Sequence, residues 1–204
     1  MPEVTLAARA GAAARMLLAP PDAALLAALA PAAGTPLELE RARQDFYDFL
    51  CVPQSGCYIP PYAHVLGRGE RLEEFWHFPP PRYDGGDVLR PWYDAVGFDP
   101  ATLGADPLIA GPNRPLDHAG FVLAFLAGLL EAAAGEPAGP AAVRGFLAGY
   151  FGGWIDLLAE LLTLSESRYI GLVGEGLAEF AADVRDAFPE PEEVSGASAE
   201  EAVS

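Results

Sequence analysis

Lysine is missing from this chain of 204 residues, and all 12 of its basic residues are arginine. The absence excludes enzymes that need a P-loop lysine or a Schiff-base lysine, and it excludes lysine-rich tracts that bind polyanions. Cysteine and histidine are also scarce, with two and three copies. Cys51 and Cys57 are separated by five residues, which fits neither a CxxC redox pair nor a zinc knuckle. We therefore expect two free thiols in a reducing compartment.

The sequence also has no long uninterrupted apolar run. A membrane-spanning helix needs roughly 18 or more apolar residues in succession, and the best candidates, residues 119–130 and 145–155, are shorter. Near the start, Pro20 and Pro21 interrupt an alanine- and leucine-rich run before it takes the form of a secretory signal. The sequence therefore predicts a cytoplasmic protein without stable membrane insertion.

Acidic residues outnumber basic ones, with 29 Asp and Glu against 12 Arg, which gives a net charge of −17. This balance repels phosphate backbones and anionic lipid headgroups, so nucleic acid is excluded as a partner. It favours encounters with a cationic partner, such as a peptide that carries arginines.

The pattern of apolar residues is helical on both sides of the middle of the chain. Apolar positions recur at spacings of three and four, and Thr35 with Glu38 forms a candidate capping box. No segment alternates apolar and polar residues as a half-buried strand does. We therefore predict an all-α, single-domain helical bundle over residues 1–188, followed by an acidic disordered tail over residues 189–204. The expected helices cover residues 4–18, 22–30, 36–51, 115–134, 141–164 and a last segment from 165 or 167 to 188.

The middle region, residues 53–115, contains 11 of the 20 prolines. This density prevents long regular elements, so only short helices are expected, at 70–78 and 87–96. Residues 98–114 form a long connection, which in compact domains is usually functional or mobile. Such a connection permits exchange of helices between two chains, so a monomer and a helix-swapped dimer are both compatible with the sequence.

A first candidate motif is Asn113-Arg114-Pro115-Leu116-Asp117-His118, which precedes the most apolar segment. With Pro115 at the first helical position, Asp117 falls in the first turn, where a carboxylate stabilises the positive end of the helix dipole. One interpretation is helix capping alone. The other is an exposed Asp-His pair that binds a cationic or hydrogen-bonding group of a partner.

A second candidate motif is Tyr58-Ile59-Pro60-Pro61-Tyr62-Ala63-His64. Consecutive prolines hold the chain extended and place the flanking tyrosines on a surface. The alternative interpretation is a loop packed against the bundle.

The order of these motifs resembles the TorD/DmsD/NarJ-like family of redox-enzyme maturation chaperones, with agreement over residues 43–184. The matching elements are Pro60-Pro61-Tyr62-x-x-Val65, Asn113-x-Pro115-x-Asp117-His118, Trp154 and Ser167-Arg168-Tyr169. The resemblance implies a cytoplasmic, all-helical chaperone that is not an enzyme and holds no cofactor. Its partners would be the twin-arginine signal peptide and the apo form of a molybdenum oxidoreductase, which the chaperone withholds from export until its molybdopterin cofactor is inserted.

The resemblance also implies which residues bind the signal peptide. Pro115, Asp117 and His118 would belong to the peptide-binding surface, and Pro61 and Tyr62 would form a second, hydrophobic part of it.

Two other functions are compatible with the residues. One is a metal-dependent helical enzyme that uses Asp117, His118 and either His64 or His77, although no pair of these has HExxH or ExxH ligand spacing and we assign no metal site. The other is an assembly factor for a different complex, with the same fold and another ligand.

Overall fold

The helices of the chain follow its apolar periodicity. A computed structural model describes residues 4–111 and 114–189, so Asn113 and all but the first residue of the predicted acidic tail lie outside the described residues. The described helices are α1 (Leu6–Leu18), α2 (Ala23–Ala33), α3 (Leu39–Phe46, continued by a π-helical turn Tyr47–Cys51), α4 (Ala63–Leu66), α5 (Arg90–Val96), α6 (Ala119–Ala133), α7 (Gly139–Tyr150), α8 (Trp154–Thr163) and α9 (Arg168–Ala187).

The core of the bundle is built around α6. Eight of its residues, including Phe121, Leu123 and Leu126, are buried, and α1 packs along it. Helices α8 and α9 pack along each other, and α9 also contacts α1. The apolar residues of α6 lie on nearly all of its sides, which predicts a central, buried helix. The predicted all-α, single-domain fold is confirmed.

Helix starts differ in how well the sequence predicts them. Ser167 caps α9 by accepting a hydrogen bond from the Ile170 amide at 3.2 Å, which selects the second of the two starts, 165 and 167, that the sequence left open. The expected capping box at Thr35 and Glu38 is wrong, because the backbone stays extended through Glu38 and α3 begins only at Leu39. The side chain of Glu38 makes no cap hydrogen bond.

The predicted single helix over residues 141–164 is also wrong. The backbone leaves the helical conformation at Phe151, ahead of Gly152 and Gly153, and α7 and α8 meet at an angle of 71°. The Trp154 indole donates a hydrogen bond to the Tyr150 carbonyl at 2.9 Å, which satisfies an acceptor that the break leaves without a helical partner. Over the described residues, no single helix has the length and apolar composition of a membrane span. Two pairs of consecutive helices, α1 with α2 and α7 with α8, have that length and composition when the two helices of a pair are combined, but each pair is sharply bent.

Residues 70–77 form a β-hairpin, where the sequence predicts a short helix over 70–78 and no strands. Strands β1 (Glu70–Leu72) and β2 (Phe75–His77) pair antiparallel, with Leu72 opposite Phe75. The two-residue turn places Glu73 at φ 55°, a conformation that costs an L-residue about 1 kcal/mol. The segment lies on the surface with Phe75 70% exposed, so it has no buried face that would stabilise an amphipathic helix.

Candidate functional site

The two candidate motifs lie next to each other in the structure. Tyr62 and His118 form an isolated antiparallel bridge. The Ala63 amide donates to the Asp117 carbonyl at 3.1 Å, and the Ala119 amide donates to the Pro61 carbonyl at 2.7 Å. We call the paired segments, residues 61–64 and 115–118, the motif junction. The junction brings together all five residues predicted to form the binding surface.

The junction places Asp117 outside the helix, so its predicted position in the first turn is wrong. Helix α6 starts at Ala119, and His118 is its N-cap, with Nδ1 accepting a hydrogen bond from the Gly120 amide at 3.1 Å. The bridge to Tyr62 holds His118 extended and thereby delays the start of the helix. Pro115 consequently precedes the helix and does not occupy its first position.

The carboxylate of Asp117 is bound by His64. Its Oδ2 accepts from the His64 amide at 2.6 Å, and His64 Nδ1 lies 2.8 Å from Oδ2 and 3.0 Å from Oδ1. His64 Nε2 accepts a hydrogen bond from the Arg82 amide at 3.0 Å. Because a backbone amide can only donate, Nε2 is the acceptor in this bond, and Nδ1 is the ring nitrogen that faces the carboxylate. Both ring nitrogens are therefore occupied by structural hydrogen bonds, and this Asp-His pair offers no free base to a substrate.

The predicted surface residues are buried. Asp117 is 3% exposed, His118 1% and Tyr62 6%, and Pro61 and Pro115 are buried as well. Of the two interpretations of Asp117 and His118, the exposed pair is wrong, because both side chains are buried and bonded to His64 and Gly120. In this structure the five residues fix the shape of the junction and do not line an open surface.

Two glycines complete the junction, and the sequence analysis missed them. The Gly85 carbonyl accepts from the Leu116 amide at 2.9 Å, and a Cβ at Gly85 would lie 2.2 Å from the His64 ring. Gly86 has φ +79°, and a Cβ there would lie 2.4 Å from the Asp117 amide nitrogen. Only glycine fits at both positions. The Gly85-Gly86 dipeptide in an otherwise proline-rich region is the sequence signal that could have revealed them.

His118 is the most perturbed group of the junction. Burial lowers the pKa of its imidazole to about 3, and the nearby Arg114 guanidinium adds to the shift. The ring contacts Tyr62 and Phe121 edge-on or tilted, with centroids 5.3 Å away in each case. With Nδ1 acting as an acceptor, the proton sits on Nε2, which has no hydrogen-bond partner among the described residues. His118 is therefore a neutral, structural histidine at physiological pH.

A cavity of about 410 Å³ lies beside the junction. We call it the junction cavity. Its wall includes Leu116, which precedes Asp117, and Phe121, which touches the His118 ring. Most of the remaining lining is small or apolar, and Asp99 and Arg114 are its charged residues. The Asp99 carboxylate is already used, because it caps the following turn by accepting from the Ala101 amide at 2.9 Å. The cavity can hold an apolar segment with one hydrogen-bonding or anionic group near Arg114.

Comparison of the chain with protein-family models, curated proteins and solved structures finds no match. The family resemblance therefore rests on the sequence motifs and on their order along the chain alone.

The other candidate chemical groups do not assemble into a site. Among the described residues, no three His, Cys, Asp or Glu side chains come together in a way that could hold a metal ion. His77 lies exposed in the hairpin, separate from His64 and His118. Cys51 and Cys57 are free thiols, and burial raises the pKa of Cys51 to about 12. Since the thiolate is the nucleophilic form, Cys51 is inert at neutral pH.

Proposed function

We propose that this protein is a cytoplasmic chaperone that binds the twin-arginine signal peptide of a molybdopterin-containing oxidoreductase and assists its maturation before export. The observation that carries the proposal is the motif junction. Two of the elements that carry the family resemblance are joined there by backbone hydrogen bonds and by the pair Asp117–His64, whose residues are 53 positions apart in the sequence. This connection supports the proposal, because it makes both motifs parts of one local structure beside the junction cavity.

The ligand class fits the chemistry of the chain. A twin-arginine signal peptide offers two guanidinium groups followed by an apolar stretch, so its receptor needs acidity and an apolar groove. The chain supplies a net charge of −17 and the junction cavity. Because Arg114 lines that cavity, we assign it to the apolar stretch and not to the arginines. The buried residues Pro61, Tyr62, Pro115, Asp117 and His118 would act as positioning residues for Leu116 and Phe121.

The test is a titration with signal peptides of molybdenum oxidoreductases from the same organism, at low and high salt. An Ala110→Phe variant places a large ring at the exposed rim of the junction cavity, and Ala95→Phe makes the same change at an exposed position of α5 outside it. We expect at least tenfold weaker binding for Ala110→Phe and unchanged binding for Ala95→Phe.

Two outcomes would contradict the proposal. Absence of binding to every such peptide would refute the chaperone function. Binding of the enzyme without its signal peptide, together with no binding of the peptide itself, would identify an assembly factor of another kind. Weaker binding at high salt is expected, because long-range attraction between the acidic chain and the arginines is screened.

A further inference from the structure

Arg114 brings a positive charge to the junction cavity. Eight of the twelve arginines lie within ion-pair distance of a described carboxylate, and Arg114 is not among them. Asp99 lines the same cavity, but its carboxylate accepts a hydrogen bond from the Ala101 amide instead. Within the part of the chain that the structure describes, the Arg114 guanidinium therefore keeps its charge available for an anion from outside.

The guanidinium of Arg114 lies beside the buried part of the motif junction. Burial raises the pKa values of the Tyr58 and Tyr62 hydroxyls, and the positive charge of Arg114 acts against this rise at both groups. Burial also lowers the pKa of His118, and Arg114 lowers it further. A charge that acts on several buried groups is only partly screened by water, so it attracts an anion more strongly than a fully solvated arginine does.

The rest of the cavity wall is apolar. Apart from Asp99 and Arg114, its side chains are aliphatic, aromatic or absent, and they belong to Pro100, Ala101, Ala110, Gly111, Leu116 and Phe121. Five backbone amides of this wall already donate within the chain, those of Ala101, Ala110, Gly111, Leu116 and Phe121. A ligand in the cavity therefore meets one strong donor group, the Arg114 guanidinium, and a wall that favours an apolar body.

The geometry points to the junction cavity as a binding site for an aliphatic carboxylic acid, such as a medium-chain fatty acid. The carboxylate accepts two parallel hydrogen bonds from the Arg114 guanidinium, and the hydrocarbon chain packs against Leu116 and Phe121. The cavity volume of about 410 Å³ lies within the range of small-molecule sites, about 300–1,000 Å³.

A carboxylate fits this donor set better than a phosphate ester does. A phosphate group carries a charge of about −1.5 to −2 at neutral pH and has three strong acceptor oxygens. The cavity offers one guanidinium, and the Asp99 carboxylate on the same wall repels the additional negative charge. A nucleotide would also place the polar groups of its base and sugar against apolar side chains, which costs free energy when those groups find no partner.

The experiment is a titration of the full chain with decanoate, below the concentration at which the acid forms micelles, followed by calorimetry or NMR. Decanamide has the same chain with a neutral head group, and decyl phosphate has the same chain length with a phosphate. We expect one decanoate to bind per chain, with at least tenfold weaker binding of decanamide and weaker binding of decyl phosphate. Octanoate should bind about tenfold more weakly than decanoate, because it buries two methylene groups fewer.

Matched variants locate the site. Arg114→Gln removes the cavity charge, and Arg144→Gln removes the same charge at an exposed position of α7 outside the cavity. We expect at least tenfold weaker binding of decanoate for Arg114→Gln and less than twofold for Arg144→Gln. Ala110→Phe, which narrows the cavity, should also weaken binding at least tenfold, whereas Ala95→Phe should leave it unchanged.

Absence of decanoate binding would overturn the inference, and so would equal affinities for decanoate and decanamide, because the site would then recognise only an apolar chain. Equal losses in the two arginine variants would reduce the effect to net charge, and tighter binding of decyl phosphate would assign the cavity to phosphate esters. The inference goes beyond the proposed function, since decanoate binding is measured without any signal peptide. Failure of either proposal is therefore seen independently of the other.

Discussion

Replacement of His118 by Asn tests the structural role of the buried imidazole. Asparagine is a good N-cap residue, and its side-chain oxygen can replace Nδ1 as the acceptor for the Gly120 amide. The variant loses the titratable group and the ring contacts with Tyr62 and Phe121. We expect it to be less stable than the wild type near neutral pH by about 1–2 kcal/mol, because a small cavity remains where the ring stood.

The pH dependence of this difference follows from the lowered pKa. The folded protein holds His118 neutral down to about pH 3, whereas the unfolded chain takes up a proton around the ordinary value of 6.5. Between these two pH values the unfolded state therefore binds more protons than the folded state. The stabilisation that the neutral His118 contributes is fully present above pH 6.5 and falls as the pH is lowered. Between about pH 7 and about pH 5 the wild type should lose about 2 kcal/mol relative to the variant.

Urea denaturation at several pH values measures this difference, provided that each transition is two-state. The free energy of unfolding of the wild type should approach or fall below that of His118→Asn near pH 5. His77→Gln is the matched control, since it removes an imidazole from an exposed position of the hairpin. Parallel pH profiles for the wild type and His118→Asn would refute the assignment of His118 as a buried neutral group.

Three further substitutions test individual contacts. Gly86→Ala should lower the free energy of unfolding by about 2–4 kcal/mol, because a Cβ would meet the Asp117 amide at 2.4 Å in a backbone of positive φ; a loss under 1 kcal/mol in urea denaturation would contradict the described approach. Ser167→Ala should lower the free energy of unfolding by about 1–3 kcal/mol, because the α9 cap and the hydrogen bond to Asp45 are lost. An unchanged melting temperature would show that neither contact stabilises the fold. Glu73→Gly should relieve the φ 55° turn and slow amide exchange in the hairpin about fivefold, whereas faster exchange would show that the turn is not strained.

The sequence predicts the bundle well because its signals are local. The apolar faces of α1, α6 and α9 and the Ser167 cap can be recognised within a few residues of each helix, and the structure has them there. The break after Tyr150 is also marked locally, by Gly152 and Gly153, but the apolar pattern continues across it and obscures the break.

The candidate site depends on partners far apart in the sequence. Taken by itself, the sequence around Pro115 predicts the start of a helix. In the structure the Ala119 amide donates a hydrogen bond to the Pro61 carbonyl, and the helix starts later. No residue near Asp117 in the sequence indicates that its partner is His64. The two motifs are buried because they pair with each other. A prediction made from each motif separately cannot include this pairing and therefore places the motifs on the surface. The convergence of the motifs was anticipated only through the family resemblance, which assigned them to one surface.

The bridge between Tyr62 and His118 also has a consequence for how the chain assembles. It joins the two ends of the intervening stretch, which contains α4, the hairpin and α5. Tyr62 and His118 are 56 positions apart in the sequence, and bringing them together costs chain entropy on the order of 3–4 kcal/mol before any contact compensates it. Closure is therefore expected late in folding, together with the packing of Leu89, Tyr93 and Ile109 from the same stretch into the core.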